Sequence, residues 1–378
     1  PRSSSGVVDP VQEEGGRSAA STPPRMAPAA GARIPELDSL RGLAALGVLA
    51  LHMMPKLFFW AGSCVDLFFI LSGFLITSIL LANRESPRML VAFYVRRALR
   101  IWPVYYVTFI AALGIFLLAG MLKDGAWPVV PPGQWWALVF LQYVDRYIPG
   151  ATHLEPIWYF AHSWSLAVEE QFYLVWPLLF FFLRPRLAAL AVAASAIVAV
   201  AVVLRHHGLY FYLLATRIDG LMFGILLAYL VADKSSLLFR LPPRDFVIVI
   251  LLGLSLLVPY LASHGTLNLW GHHPQRAVEV LGFCLVYASV IAASIRWSGA
   301  HWLAPLRTRA LMHVGKLSFA IYMFQVPIGY VVLEALAHDW IGSVSAHLLT
   351  PLLTLLAAQL SYIAIERQML ILKARFPY

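Results

Sequence analysis

Charge is scarce in this sequence. Asp, Glu, Lys and Arg make up 12% of the 378 residues, against 60% apolar residues. A water-soluble chain of this length carries roughly 25% charged residues to keep its surface wet, so a soluble globular protein is excluded and a lipid-facing one is indicated. Cysteine is nearly absent too. The two present, Cys64 and Cys284, both fall inside apolar runs, where they read as small buried hydrophobes rather than a disulfide framework or a thiolate metal site. No Gly-rich phosphate loop and no metal-ligand spacing occurs, so nothing points to an ATPase or a metalloenzyme, and no metal is expected. The first 35 residues hold almost no large apolar side chain before Ile34. That segment lacks the apolar h-region of a signal peptide, and its Ser, Ala, Pro and Gly content predicts disorder.

From Leu37 onward, apolar runs of bilayer-spanning length recur between short polar stretches. They predict an all-α integral membrane protein of about ten transmembrane helices, near 37–55, 61–82, 101–122, 164–183, 187–204, 215–232, 246–262, 277–295, 313–336 and 344–366. Continuous runs favour helices, since membrane strands would alternate over about ten residues. The apolar stretch Trp135 to Tyr143 is too short to span and reads as interfacial or re-entrant. The organisation is thus a disordered segment 1–35, a multi-pass membrane domain 36–370 and a short tail 371–378.

The net charge of +9 acquires its meaning from its distribution. With a cytoplasmic N-terminus, Arg84, Arg88, Arg96, Arg97 and Arg100 share one inside loop. Arg184 and Arg186 follow in the next, then Lys234, Arg240 and Arg244, then Arg296, Arg307 and Arg309, and last Lys373 and Arg375. The opposite loops hold only Lys56, Lys123, Arg146, Arg205, Arg217 and Arg276, with Asp124, Asp145, Glu155 and Asp339 beside several of them. The positive-inside rule therefore predicts both termini in the cytoplasm, in a cell (plasma) membrane protein. Once topology claims these charges, no basic stripe remains for nucleic acid.

The first helix reads PELDSLRGLAALGVLALH from Pro35. Arg41 and His52 are eleven residues apart, which at about 100° per step is three turns plus about 20°. Both side chains then lie on one face, roughly 16 Å apart along the axis. Such a stripe suits two substrates meeting from opposite sides of the membrane. The plainer alternative is a snorkelling topology anchor and an interfacial histidine. Asp66 opens the second helix and is expected to lie close to His52, holding its imidazole in one tautomer and raising its basicity; a carboxylate complementing the helix dipole is the competing reading. Ser72 and Gly73 read as small residues for close helix packing.

The segment FYVRRALRIWPVYY sets Arg97 and Arg100 three residues apart among aromatics. Such guanidinium groups grip nucleotide phosphates by paired hydrogen bonds, and anionic lipid head groups equally well. In HSWSLAVEEQFY, ionisable residues open a membrane helix, a position that defaults to function. Helical spacing puts His162, Ser165, Glu169 and Tyr173 on one face and Glu170 on a neighbouring one. The long segment Lys123 to Ala161, rich in Trp, Pro and Tyr, suits sugar rings, although Trp and Tyr also form membrane interface belts.

Five blocks in order make the chain resemble the membrane acyltransferase-3 family of bacterial O-acyltransferases over residues 34–366. They are the Arg41/His52 pair, VDLFFILSGFLIT from Val65, FYVRRALRIWPVYY, HSWSLAVEEQFYLVWP from His162, and KLSFAIYMFQVP from Lys316. The resemblance implies transfer of an acyl group, usually acetyl from acetyl-CoA, to hydroxyls of lipopolysaccharide, peptidoglycan, other glycans or sugar-bearing small molecules such as macrolides. It marks Arg41 and His52 as the pair on which activity depends, and matches Arg97 and Arg100 to the family's basic motif and Glu169 or Glu170 to its acidic one. Gln325 departs from the His often found in the last block, which argues against proton transfer there. The chain ends soon after the tenth span, so no appended esterase-like domain is expected.

The combined expectation is an O-acetyltransferase with acetyl-CoA or another acyl-CoA as co-substrate, and the lipid bilayer and a glycan or glycosylated small molecule as partners. His52, Asp66 and Glu170 are the catalytic group, with His52 as base or acyl carrier. Arg41, Arg97 and Arg100 bind the donor, and His162, Glu169 and Tyr173 the acceptor. A proton-coupled transporter is the rival, since intramembrane His, Asp and Glu also mark proton pathways, but no convincing internal repeat supports it. A non-catalytic membrane partner is the third reading, favoured if His52 is dispensable.

Overall fold

A computed structural model describes residues 34–143, 158–209, 212–233, 237–262, 276–338 and 340–378. The expected disordered segment, apart from its last residues, and the middle of the segment Lys123 to Ala161 lie outside the described residues, as do Lys234, Asp145, Arg146, Glu155 and Asp339. Helices dominate the described residues and no strand occurs among them. The principal ones are α1 (Pro35–Met53), α2 (Cys64–Ala82), α3 (Met89–Asp124), α4 (Trp164–Leu183), α5 (Leu187–His206), α6 (Asp219–Ala232), α7 (Pro243–Ala262), α8 (Arg276–Arg296), α9 (Arg309–Ala337), α10 (Ser343–Ser361) and α11 (Arg367–Lys373).

The first ten fall on the ten expected runs. Eight spans, α2 to α5 and α7 to α10, are long and apolar enough to cross a membrane. The other two, α1 and α6, do not reach that length and apolarity among the described residues. In α1, Glu36, Asp38 and Arg41 crowd the first two turns, and α6 is a 14-residue helix. Both are protected by neighbours rather than by lipid. At Gly73 of α2 an added methyl would collide with the carbonyl of Leu221 in α6, and at Gly315 of α9 it would collide with the carbonyl of Asp38 in α1. The expected packing role of Gly73 is therefore met, because only a missing Cβ lets these backbones touch.

The N-terminal turn of α1 is held by polar bonds. The fully buried Glu36 carboxylate accepts hydrogen bonds from Arg307 at 3.0 Å, the Gly299 amide at 2.9 Å and Ser298 at 3.0 Å, and the Ser39 hydroxyl donates to the Leu306 carbonyl. These bonds fix the axis on which Arg41 and His52 sit.

Two expectations need correction. Helix α3 starts at Met89 rather than near 101, so Arg96, Arg97 and Arg100 are helical and not in a loop. Its buried residues Met89, Ala92 and Phe93, and then Ile101, Val104, Tyr105, Thr108 and Phe109, keep a three-to-four-residue period on both sides of the arginines and through Pro103, with Arg97 at the helical step between Phe93 and Ile101. Second, Arg205 and Arg217 are not loop charges, being 4% and 3% exposed. Arg205 makes a two-pronged ion pair with Asp219 at 2.7 and 2.8 Å. Arg217 pairs with Asp66 at 2.8 Å. The stretch 135–143, expected to be too short to span, begins in a 3-10 helix, Pro132–Val139. It docks on α3, where Tyr105 and Tyr106 donate to the carbonyls of Ala137 and Leu138 at 2.7 and 2.8 Å.

Candidate functional site

Arg41 and His52 open onto different cavities. Arg41 lines a chamber of about 170 Å³ together with Arg97, Arg100, Ser72 and Glu169. His52 lines one of about 360 Å³ together with Asp66, His162 and Arg217. Val65 and Tyr322 belong to the walls of both. Tyr322 donates its proton to the His162 carbonyl at 2.8 Å, so at the 2.7 Å contact with Ser165 the serine hydroxyl is the donor. These bonds fix the phenol at the neck between the chambers.

The arginine chamber is built by α1, α2, α3, α4 and α9. Arg97 and Arg100 reach it because they continue the buried stripe of α3, Arg97 lying one turn from both Phe93 and Ile101. The Arg97 guanidinium stacks 3.9 Å from the centre of the Tyr173 ring. The one carboxylate in the lining, Glu169, accepts from Ser72 at 2.9 Å and from Tyr173 at 2.6 Å, and Tyr173 also contacts the Ser72 hydroxyl at 2.9 Å. Among the described residues, Arg41, Arg97 and Arg100 take part in no ion pair within 4 Å. Three guanidinium groups facing one occupied carboxylate leave a cationic cavity, and the Arg97 Nε is buried without a hydrogen-bond partner. That is a site for an anion with several oxygens.

The histidine chamber has a different balance. His52 lies 2.9 Å from the Val48 carbonyl through Nδ1. A carbonyl only accepts, so Nδ1 carries the proton and Nε2 keeps a free lone pair. The imidazole is exposed to the cavity. His162 contacts the Met323 carbonyl through Nε2 at 3.1 Å, which by the same reasoning makes its buried Nδ1 an acceptor, and that atom has no partner. Two imidazole lone pairs thus serve one cavity, whose charged lining residues are Asp66, Arg217 and Glu279, the first two paired with each other. Arg217 also lies over the rings of Trp164 and Phe69 at 5.5 and 5.7 Å.

The geometry regroups the expected residues. Asp66 shares the chamber with His52 but bonds Arg217, so the tautomer of His52 is set by Val48 and not by a carboxylate. His162 parts from Glu169 and Tyr173, which stand with the arginines. The cause is local: His162 belongs to a 3-10 helix, Trp158–Ser163, and α4 begins only at Trp164, so the 3.6-residue spacing does not extend back to it. Glu170 lines neither chamber. Its Oε2 accepts from Trp102 at 3.4 Å and its Oε1 is buried without a partner. Ser72, read as a packing residue, instead joins the polar cluster. The reading from sequence missed Arg217 and Tyr322. Arg217 was legible as a charge next to an apolar run, whereas Tyr322 carried no distinguishing signal. No group of three or more His, Cys, Asp or Glu able to hold a metal occurs among the described residues.

Residues 34–366 match the model of a family described as an acyltransferase domain. O-acetyltransferase OatA of Staphylococcus aureus is 27% identical over 354 residues, covering 88% of this chain and 56% of that protein. Peptidoglycan O-acetyltransferase OatA of Listeria monocytogenes is 34% identical over 157 residues, or 38% of this chain and 24% of that protein. The chain spans about half the length of the first of these relatives. No solved structure matches it. With a family model covering its whole membrane portion, from the first turn of α1 to the end of the tenth expected span, the chain belongs to the acyltransferase-3 family of multi-pass membrane acyltransferases.

Proposed function

We propose that this protein is an O-acetyltransferase that takes acetyl from acetyl-CoA and passes it to a hydroxyl of a cell-envelope glycan. The observation that carries this reading is the arrangement of two adjoining chambers, one lined by three guanidinium groups without ion pairs and the other by a histidine with a free lone pair. Acetyl-CoA enters the arginine chamber from the cytoplasm, the side to which the positive-inside rule assigns this end of α1. Arg41, Arg97 and Arg100 hold its phosphates, and the pantetheine arm passes Val65 and Tyr322. The roughly 16 Å between Arg41 and His52 along α1 suits an extended arm whose phosphates and thioester must lie far apart.

In the histidine chamber the acceptor hydroxyl gives its proton to Nε2 of His52 as its oxygen attacks the thioester carbonyl. Collapse of the adduct breaks the carbon–sulfur bond, and the departing thiolate takes the proton back from the imidazolium. The Nδ1 of His162 accepts a hydrogen bond from a neighbouring sugar hydroxyl. The names of the relatives support a glycan acceptor; a glycosylated small molecule presents the same hydroxyl chemistry. A proton-coupled transporter is less well supported, because its proton path would run through Asp66, which is occupied by Arg217.

The test is release of CoA thiol, and transfer of labelled acetyl to extracted envelope glycans, by membranes carrying the wild type or His52→Ala at equal expression. Label that moves with the wild type and stops with the variant supports the reading. Consumption of acetyl-CoA by neither preparation, with any acceptor, overturns it.

A further inference from the structure

Away from both chambers, α4 and α5 flank a cavity of about 710 Å³ that the mechanism above does not use. Only residues 184–186 join the two helices, a short connection of the kind that sets antiparallel neighbours in contact. Here each helix is drawn to other partners. Trp176 of α4 donates to Thr77 of α2 at 2.9 Å, whereas α5 packs on α6 and α8, and Arg205 near its end grips Asp219 of α6. The gap left between them is walled by Val175 and Leu179 of α4 and by Ala189 and Ala193 of α5, with Met222 and Ile225 of α6 also lining it.

Empty space of this size forfeits dispersion contacts on every wall, and an apolar lining does not hold water. Within a bilayer, hydrocarbon fills it. Val175 and Leu179 are exposed, so a chain enters sideways from the lipid. From Phe172 to Leu183 the α4 wall runs eleven residues, about 16 Å along the helix, close to the roughly 15 Å of hydrocarbon in one leaflet.

The charged side chains of the lining are Arg184 and Arg186, both in the α4–α5 connection, and no carboxylate lines the cavity with them. Among the described residues, neither takes part in an ion pair within 4 Å. Tyr229 of α6 donates to the Pro185 carbonyl at 3.0 Å, which holds the connection in place. Arg184 also stands where a helix end favours glycine, since its φ of 42° lies in the left-handed region. A guanidinium kept there against its backbone cost points to a use that glycine could not serve.

We propose that this cavity is a binding site for an anionic glycerophospholipid, with the lipid phosphate between Arg184 and Arg186 and one acyl chain between α4 and α5. Two guanidinium groups with no acid beside them favour a net negative head group over one that brings its own ammonium. The positive-inside rule assigns this end of α4 to the cytoplasm. The site is separate from the chemistry at His52 and does not depend on it.

The test is native mass spectrometry of the full chain in detergent, titrated with dioleoyl phosphatidylglycerol or dioleoyl phosphatidylcholine. The wild type is expected to bind its first phosphatidylglycerol about tenfold more tightly than its first phosphatidylcholine, the scale of two arginines near a membrane surface. Arg184→Gly combined with Arg186→Gln brings that ratio to about one. Because glycine suits the left-handed position, Arg184→Gly alone keeps the unfolding temperature while lowering the ratio, which separates lost binding from lost folding. Ala193→Phe fills the slot and weakens the first phosphatidylglycerol without touching either arginine. A ratio near one in the wild type overturns the proposal, as does binding unchanged by Ala193→Phe. An equal fall in the ratio when the exposed Arg240 and Arg244 are both changed to Gln would make the preference one of general surface charge and overturn it too. So would competition by glycerophosphoglycerol, the head group without its chains, at the concentrations at which the lipid binds.

Discussion

The two chambers along α1 differ in what they lack. The arginine chamber lacks anions: Arg41, Arg97 and Arg100 face Glu169, whose oxygens are already bonded to Ser72 and Tyr173. In the histidine chamber Asp66 and Arg217 are paired, Glu279 also lines the wall, and among the described residues no donor bonds His52 Nε2 or His162 Nδ1. On the proposed function, one end of the helix holds a multiply charged ligand and the other takes a proton from a neutral one. A single cavity could not do both well, because uncompensated guanidinium charge beside His52 would disfavour the imidazolium formed when it accepts a proton.

This contrast breaks most sharply at His52. His52→Ala is expected to lower acetyl transfer by about a hundredfold to ten-thousandfold, the range of a lost general base, while the dissociation constant for CoA stays within about twofold. Weakened CoA binding in that variant would mean that the chambers do not divide the work. Asp66→Asn tests whether the carboxylate serves Arg217 or His52. It leaves a buried guanidinium without its counter-charge, at a cost of about 3–5 kcal/mol, visible as a lower unfolding temperature in detergent. Asp66→Leu with Arg217→Leu should recover much of that stability. A pH–rate profile shifted by Asp66→Asn, with stability unchanged, would restore a carboxylate–histidine pairing instead. Arg97→Ala or Arg100→Ala should weaken CoA binding about tenfold to a hundredfold, the size of one charge-assisted bond. The loss should grow at low salt, and turnover at saturation should change less.

Sequence patterns reached some of this and not the rest, for physical reasons. Run length located the eight spans long and apolar enough to cross a membrane, because lipid imposes a length whatever the details. The spacing of Arg41 and His52 fixed their shared stripe, because both sit within one uninterrupted helix. The start of α3 was hidden by its arginines: treating Arg97 and Arg100 as loop charges overlooks that Phe93 and Ile101 flank them on the buried face. The partner of Asp66 lies 151 residues away, and no local pattern reports such a pairing. The separation of His162 from Glu169 depends on a change from 3-10 to α geometry at Ser163, to which apolar periodicity is blind.

The smallest expected effect makes the finest distinction. Glu169 and Glu170 are neighbours in sequence, and either matched the acidic motif. Glu169 lines the arginine chamber and accepts two hydroxyl protons, whereas Glu170 lines neither chamber and contacts Trp102 at a long 3.4 Å. Glu169→Gln should lower CoA-dependent transfer by about tenfold, because Ser72 and Tyr173 lose a charged acceptor and the ring under Arg97 is released. Glu170→Gln should change it by less than about threefold, since the amide keeps the Trp102 bond and removes a carboxylate charge buried at one oxygen. Parallel initial-rate measurements on the two variants decide it. A larger loss at Glu170 would mean that the face of α4 turned toward α3 forms part of the reaction path, and the boundary of the arginine chamber would have to be redrawn to include Trp102.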